Sequence, residues 1–140
     1  MRIGLLILAA TILGCRSTPM PGTPPAGLSP GPWRLLDVGG AAAVPEDAAR
    51  RPWLSFATDS NRVSGHFGCN GTGGQYTAEG QSLKFERMMR TKMACADQRL
   101  NVQESAVATA VESTDRYRIA GDTLELRQGE RILARFVRGR

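Results

Sequence analysis

The sequence predicts an α+β fold: a small, strongly curved antiparallel β-sheet, or partial barrel, with one inserted α-helix. Three features of the chain point there. Short alternating apolar and polar runs, separated by turn residues, fill most of residues 33–140, the pattern of half-buried strands joined by tight connections. One stretch only, Gln98 to Glu112, is long, periodic and free of glycine and proline, as a helix requires. The 108 residues from Trp33 to Arg140 are one domain's worth of chain with one modest core. Many short strands in so small a domain bury their edges best by curling.

Each element has its own warrant. Trp33, Leu35 and Leu36 start a first strand, and Ala41 to Pro52 is a small-residue loop with two prolines. Trp53 to Ala57 reads as a strand, Asp59-Ser60-Asn61 as a turn, and Val63 to Phe67 as the hairpin partner. Alternation places Val63, Gly65 and Phe67 on one face and Ser64 and His66 on the other. After the glycine-rich Gly71 to Gly74, strands Gln75 to Ala78 and Ser82 to Phe85 flank a turn at Glu79-Gly80. Asp97 can cap the helix from Gln98 to Glu112. Its apolar stripe is Leu100, Val107 and Val111, with Gln103 and Glu104 beside that stripe rather than opposite it. Strands Arg116 to Ile119, Thr123 to Leu126 and Arg131 to Val137 close the chain, with turns at Gly121-Asp122 and Gly129.

Ahead of this domain the chain has another character. Met1-Arg2 is followed by an apolar run from Ile3 to Leu13, the layout of a secretory signal peptide and too short for a spanning helix of about 20 residues. Its end, Ile12-Leu13-Gly14-Cys15, resembles the lipobox of bacterial lipoproteins. The resemblance implies a signal peptide over 1–14 and acylation of Cys15, whose thiol is the nucleophile that receives the lipid. It also implies a membrane anchor through N-terminal acyl chains on the periplasmic face of the cell envelope. Arg16 stands where some lipoproteins carry an inner-membrane retention aspartate, so the outer membrane is the expected destination. Residues 15–32 hold six of the eight prolines, which excludes helix and central strand. They read as a tether that can extend up to about 50 Å at roughly 3.1 Å per residue.

Within the domain, residues recur in an order that carries more meaning than any one of them. Trp33 is followed by Ser64-Gly65-His66-Phe67-Gly68-Cys69-Asn70, then Gly74-Gln75-Tyr76, then Thr91-Lys92-Met93-Ala94-Cys95, then Glu104 in the helix. Gly65 and Gly68 suit a strand that bends or admits another backbone closely. Asn70-Gly71 is a turn dipeptide whose side chain can bond its own backbone. Tyr76, Thr91 and Met93 read as packing or hydrogen-bonding residues around the bend. In this combination and order, over Trp33 to Phe136, the chain resembles the META domain, the HslJ-like heat-shock lipoprotein family. That resemblance implies an envelope lipoprotein linked to stress or antibiotic tolerance, with no known chemistry.

Cys69 and Cys95 are then expected to bridge, because an exported chain meets an oxidising compartment; the alternative is two buried, unpaired thiols. A bridge across 26 positions would stabilise by roughly 3.5 kcal/mol. The net charge of +5 comes from scattered residues, without the block of basic residues that nucleic acid asks for. The single histidine, His66, leaves no convincing nucleophile pair. His66, Cys69 and Cys95 lack the second arm of a metal site, the glycines at 71–74 lack the lysine and helix of a phosphate loop, and carboxylates are unclustered. No catalytic residue, metal or cofactor is therefore expected, and the protein is expected to be a monomer. Two other functions compete with the family reading. One is binding of lipid or another apolar ligand, by analogy with secretin pilots. The other is binding of an envelope protein, for instance inhibition of a hydrolase, for which the Ala41 to Pro52 loop offers Arg50 and Arg51.

Overall fold

Nine strands and one helix follow one another in the computed structural model, which describes residues 27–29, 31–45 and 50–139. They are β1 (Trp33–Val38), β2 (Ala41–Ala42), β3 (Trp53–Ala57), β4 (Arg62–His66), β5 (Gly71–Glu79) and β6 (Ser82–Arg90). After these come α1 (Gln98–Glu112), β7 (Arg116–Ala120), β8 (Thr123–Gln128) and β9 (Arg131–Arg138). The expected signal peptide, Cys15 and most of the tether lie outside the described residues; of its described part, Leu28 is fully buried in the domain core rather than free in a tether. No described helix is long and apolar enough to cross a membrane.

All strands belong to one antiparallel sheet that curls until its ends meet. One edge of β1 pairs with β9 from Trp33↔Arg138 to Val38↔Ala134. Its other edge is shared by β3, at Trp33↔Leu54, and β2, at Val38↔Ala41. Register shifts between Leu35 and Asp37, Gly73 and Gln75, and Leu126 and Arg127 supply the local bends that closure demands. The seam is narrowest between β6 and β7, which meet at Ser82↔Arg116. Two flanking backbone bonds, from Leu83 N–H to Asp115 and from Tyr117 N–H to Gln81, extend that contact. The helix packs against β1, β6, β8 and β9, so the ring is a partial barrel with α1 inserted against it.

Strand alternation fills the interior with Trp33, Leu35, Leu54, Phe56, Val63, Phe67, Tyr76, Leu83, Leu124, Leu126 and Phe136, all nearly inaccessible. The helix adds Val107, Ala108, Ala110 and Val111 to the same core. Val63, Gly65 and Phe67 do face inward, with Ser64 and His66 outward. The helix bounds and the Asp97 cap are as expected; the Asp97 carboxylate accepts from Arg99 N–H at 2.9 Å. That hydrogen-bonded guanidinium holds the Asp97 carboxyl below its ordinary value.

Three local expectations are corrected. β5 begins at Gly71, four residues ahead of Gln75, because Gly71, Thr72, Gly73 and Gly74 pair in register with β4. β6 continues past Phe85 to Arg90 across a positive-φ residue, Arg87. Ala41–Ala42, placed in a loop, forms the two-residue β2 on the edge of β1. Glycine suits the start of β5 for a reason periodicity cannot express: a Cβ on Gly74 would lie 2.9 Å from the Glu86 carbonyl oxygen, so the bulged β6 backbone occupies that space.

Tyr76 packs edge to face on Phe56, with ring centroids 5.1 Å apart, and its hydroxyl is buried without a hydrogen-bond partner. Burial, then the charge of Asp59, pushes the Tyr76 phenol above its ordinary value, and burial does the same at Tyr117. A raised folded-state value means the folded form holds its proton longer than the unfolded form. Stability is therefore complete below about pH 10, the unfolded tyrosine value, and is lost as pH rises beyond it. Thermal melts from pH 8 to 11 are expected to show this alkaline fall, reduced in Tyr117→Phe; an identical fall in that variant would assign it elsewhere.

Candidate functional site

At the end of β4 the chain turns sharply and returns as β5. Phe67 continues the inward alternation, and its N–H donates to the Asn70 carbonyl at 3.0 Å, closing the turn. Inside it Asn70 is 2% exposed, so its carboxamide must be satisfied by protein. Nδ2 donates to Glu104 Oε1 at 2.6 Å and to the Met93 carbonyl at 2.9 Å. Oδ1 accepts from Thr91 Oγ1 at 2.9 Å and from Met93 N–H at 2.7 Å. Both hydrogens and both lone pairs of the amide are thereby used.

Glu104 reaches this turn from the inward face of α1. Its Oε2 accepts from the N–H groups of Cys69 and Asn70, at 3.1 and 3.0 Å. The carboxylate thus receives three N–H donors from one hairpin turn, the arrangement that makes its burial tolerable. Gly68 lets the helix come this close, since a Cβ there would lie 3.3 Å from the Leu100 carbonyl and 3.4 Å from Glu104 Oε2.

A covalent bond closes the assembly. Cys69 and Cys95 form a disulfide with Cα atoms 5.6 Å apart, within the usual span of such bridges. Neighbouring helix residues hold the flanking loops by pairing with their backbone. Asn101 brackets Cys95, accepting from its N–H at 3.0 Å and donating to its carbonyl at 3.1 Å. Gln103 brackets Val44 in the same way, at 2.7 and 2.6 Å. Polar side chains of one helix thus grip residues 41–45, 67–70 and 91–95.

Most of the motif residues converge here, and two act differently from expectation. Asn70 bonds across to α1 and to residues 91–93 rather than to the backbone of its own turn, because burial brings Glu104 within reach. Met93 contributes its backbone; its side chain is 63% exposed and packs nothing around the bend. Thr91 hydrogen-bonds as expected. Trp33, Tyr76 and Gly74 lie elsewhere in the barrel. Trp33 is fully buried, donates from Nε1 to the Leu28 carbonyl at 2.8 Å, and carries the Arg138 guanidinium 4.3 Å from its ring centroid. Asn101 and Gln103 were not singled out from the sequence. The signal for Gln103 was its place beside the apolar stripe of α1, which puts a polar side chain against the core.

Gly65 sits at the tightest approach in the hairpin. A Cβ there would come within 2.5 Å of the Trp53 carbonyl oxygen and 3.0 Å of Leu54 Cδ2. Gly65→Ala is expected to lower stability by about 1–3 kcal/mol in denaturant titration. An unchanged midpoint would mean that β3 can yield.

Chemically, the bridge decides what the cluster can do. Cys69, Cys95 and Glu104 form the one group of potential metal ligands found among the described residues, with donor atoms within 4.8 Å of one another. Both sulfurs are bonded to each other, so neither offers the thiolate that ligation or nucleophilic attack needs. The Glu104 oxygens are already engaged by three N–H groups. Beside this cluster, on the surface, opens a groove of about 1010 Å³. Among the described residues Trp53, His66, Arg50, Arg51, Asp97 and Arg99 line it, together with Cys69 and Cys95.

Comparison with known proteins gives a family and a fold. The family model described as META domain matches residues 26–139. An NMR structure of another protein shares 20% identity over 76% of this chain and 88% of its own, with a TM-score of 0.61. An NMR structure of a protein from Burkholderia xenovorans shares 25% identity over 78% of both chains, with a TM-score of 0.57. The crystal structure of a DUF4847 family protein from Bacteroides vulgatus ATCC 8482 shares 15% identity, covers 76% of this chain and 91% of its own, and has a TM-score of 0.53. At these identities the likeness is one of fold. No curated protein matches the chain.

Proposed function

The chain belongs to the META domain family, and from that premise we propose that it is a non-enzymatic lipoprotein of the cell envelope, acting in envelope stress or antibiotic tolerance. In this reading Cys15 carries the acyl chains, the chain ahead of the buried Leu28 is the tether, and the domain stands on the periplasmic face, preferably at the outer membrane. The observation that carries it is the Cys69–Cys95 disulfide, because such bridges persist in oxidising compartments. The hydrophobic run ending in Leu13-Gly14-Cys15 supplies the route to such a compartment.

The absence of an enzymatic role is supported by how the most reactive groups are used. The thiols are joined, and the carboxylate and carboxamide of Glu104 and Asn70 saturate each other and the turn. The rival reading of an enclosed apolar ligand finds little space, since Trp33, Tyr76, Phe136 and six fully buried leucines fill the interior. Partner binding, by a monomer at the envelope, would use the outer surface.

Fractionation with labelled fatty acid tests the proposal. The wild type is expected in the membrane fraction with label, and Cys15→Ser in the soluble fraction without it. A deletion strain is expected to grow less well on envelope-active antibiotics, with rescue by the wild type and not by Cys15→Ser. Wild-type protein without label, or with both Cys69 and Cys95 alkylated in native extracts, would overturn the reading.

A further inference from the structure

The chain enters the domain through a contact that no strand pairing requires. Leu28 lies ahead of β1 and outside every strand, yet it is fully buried and joins the core cluster. Its carbonyl accepts from Trp33 Nε1 at 2.8 Å. The carbonyl of Gly27 accepts from Arg138 Nη2 at 3.1 Å. Trp33 and Arg138 are register partners across the β1–β9 closure, and the guanidinium stands 4.3 Å from the indole centroid. One apolar side chain thus enters the core while two consecutive peptide carbonyls are bound by a single cross-strand pair.

Gly27 adds a restriction on sequence. Its φ is +120°, a region that favours glycine, and a Cβ there would lie 3.1 Å from Ile119 Cδ1. The contact therefore selects a glycine followed by a leucine-sized residue. Peptide-binding modules work in this way, reading a side chain through a pocket and the main chain through hydrogen bonds. The sheet fixes both donors of the socket. Arg138 N–H donates to the Asp122 carbonyl at 2.8 Å, and Gly139 N–H to the Pro32 carbonyl at 2.7 Å. Residues 27–29 belong to no strand, so their release breaks no ladder, and segments held in this manner open ahead of the global fold.

We propose that the Trp33–Arg138 end of the barrel is a peptide-binding site whose resident ligand is the chain's own Gly27-Leu28. When the resident leaves, the site takes a segment of a partner protein that presents the same glycine–leucine pair. The resident competes at the high effective concentration of a tethered ligand, so a partner binds only once residues 27–29 have opened. Peptide binding here involves contacts of the domain alone, so its failure in vitro leaves the fractionation result standing.

The test uses the oxidised mature chain carrying Cys15→Ser, with and without Leu28→Asp. The probe is a fluorescein-labelled peptide Pro-Pro-Ala-Gly-Leu-Ser, the sequence of residues 24–29. Leu28→Asp is expected to keep its circular dichroism and to bind the peptide saturably by fluorescence anisotropy. The chain with Leu28 intact is expected to bind it about tenfold or more weakly, because the resident holds the site. Alanine in place of the peptide's glycine or leucine is expected to weaken binding about tenfold. Trp53→Phe leaves Trp33 as the sole indole; its emission is expected to shift to the red in Leu28→Asp and to return on adding peptide. In the chain with Leu28 intact, hydrogen exchange is expected to find Trp33 Nε1–H at least about tenfold less protected than the slowest amides of β8 and β9. Unfolding of Leu28→Asp, equal protection of the indole and those amides, or no saturable binding would overturn the proposal. So would equal binding to both chains, or no loss with the alanine peptides.

Discussion

Asn70→Ala is expected to destabilise the domain by about 3–5 kcal/mol, the range for removing one partner from a buried, charged hydrogen-bond network. The alanine withdraws one of three donors from Glu104, which is 7% exposed. It also strands the Met93 N–H and carbonyl, which pair with the two ends of the Asn70 amide. Chemical denaturation of wild type and variant measures the difference. Asn70→Asp separates lost bonding from lost volume. It sets a second carboxylate against Glu104 where Nδ2 now lies 2.6 Å away, and two such groups cannot both ionise cheaply. The folded pair would hold a proton above the unfolded carboxylate range, so this variant is expected to gain stability relative to wild type as pH falls from 7 to 5. A variant equally impaired at both values would refute the charge argument.

Opening the Cys69–Cys95 bridge is expected to cost about 3.5 kcal/mol, the chain-entropy figure for a 26-residue separation. Reduction with a thiol reagent, or the double change Cys69→Ser and Cys95→Ser, should lower the denaturation midpoint by the same amount. The loss is expected to exceed the entropic term once Asn70 is also removed. Both features clamp residues 67–70 to residues 91–95, and neighbouring changes in one network do not add independently. A bridge-free variant as stable as wild type would mean that the Asn70–Glu104 network alone holds the turn.

These two clamps show where reading the chain residue by residue succeeds and where it stops. The strand beginning at Trp53, the helix from Gln98 to Glu112 and the cysteine pairing were legible because each rests on a local pattern or on the chemistry of a compartment. The glycines at 71–74 were not legible as strand, since their fitness lies in the closeness of β6 and not in any side-chain period. Met93 misled for a related reason: its thioether faces solvent, and the backbone groups that matter are the same in every residue. Asn101 and Gln103 hold loops by mimicking strand pairing, an interaction between helix and loop that leaves no spacing signature beyond a polar side chain set against an apolar stripe.

What the sequence by itself determined is the helix and every strand but β2, the family motif in its order and the two cysteines available to pair. Those follow from short-range forces: alternation, capping, turn propensity and thiol chemistry all act within a few residues. What only the tertiary structure decided is closure of the sheet through β1 and β9 and the convergence of Asn70, Glu104 and Met93. Closure joins residues about a hundred positions apart, Trp33 with Arg138, and Glu104 meets its turn from 34 positions away. Burial makes those distant encounters compulsory, because a polar group removed from water must find its partner wherever the fold has carried it.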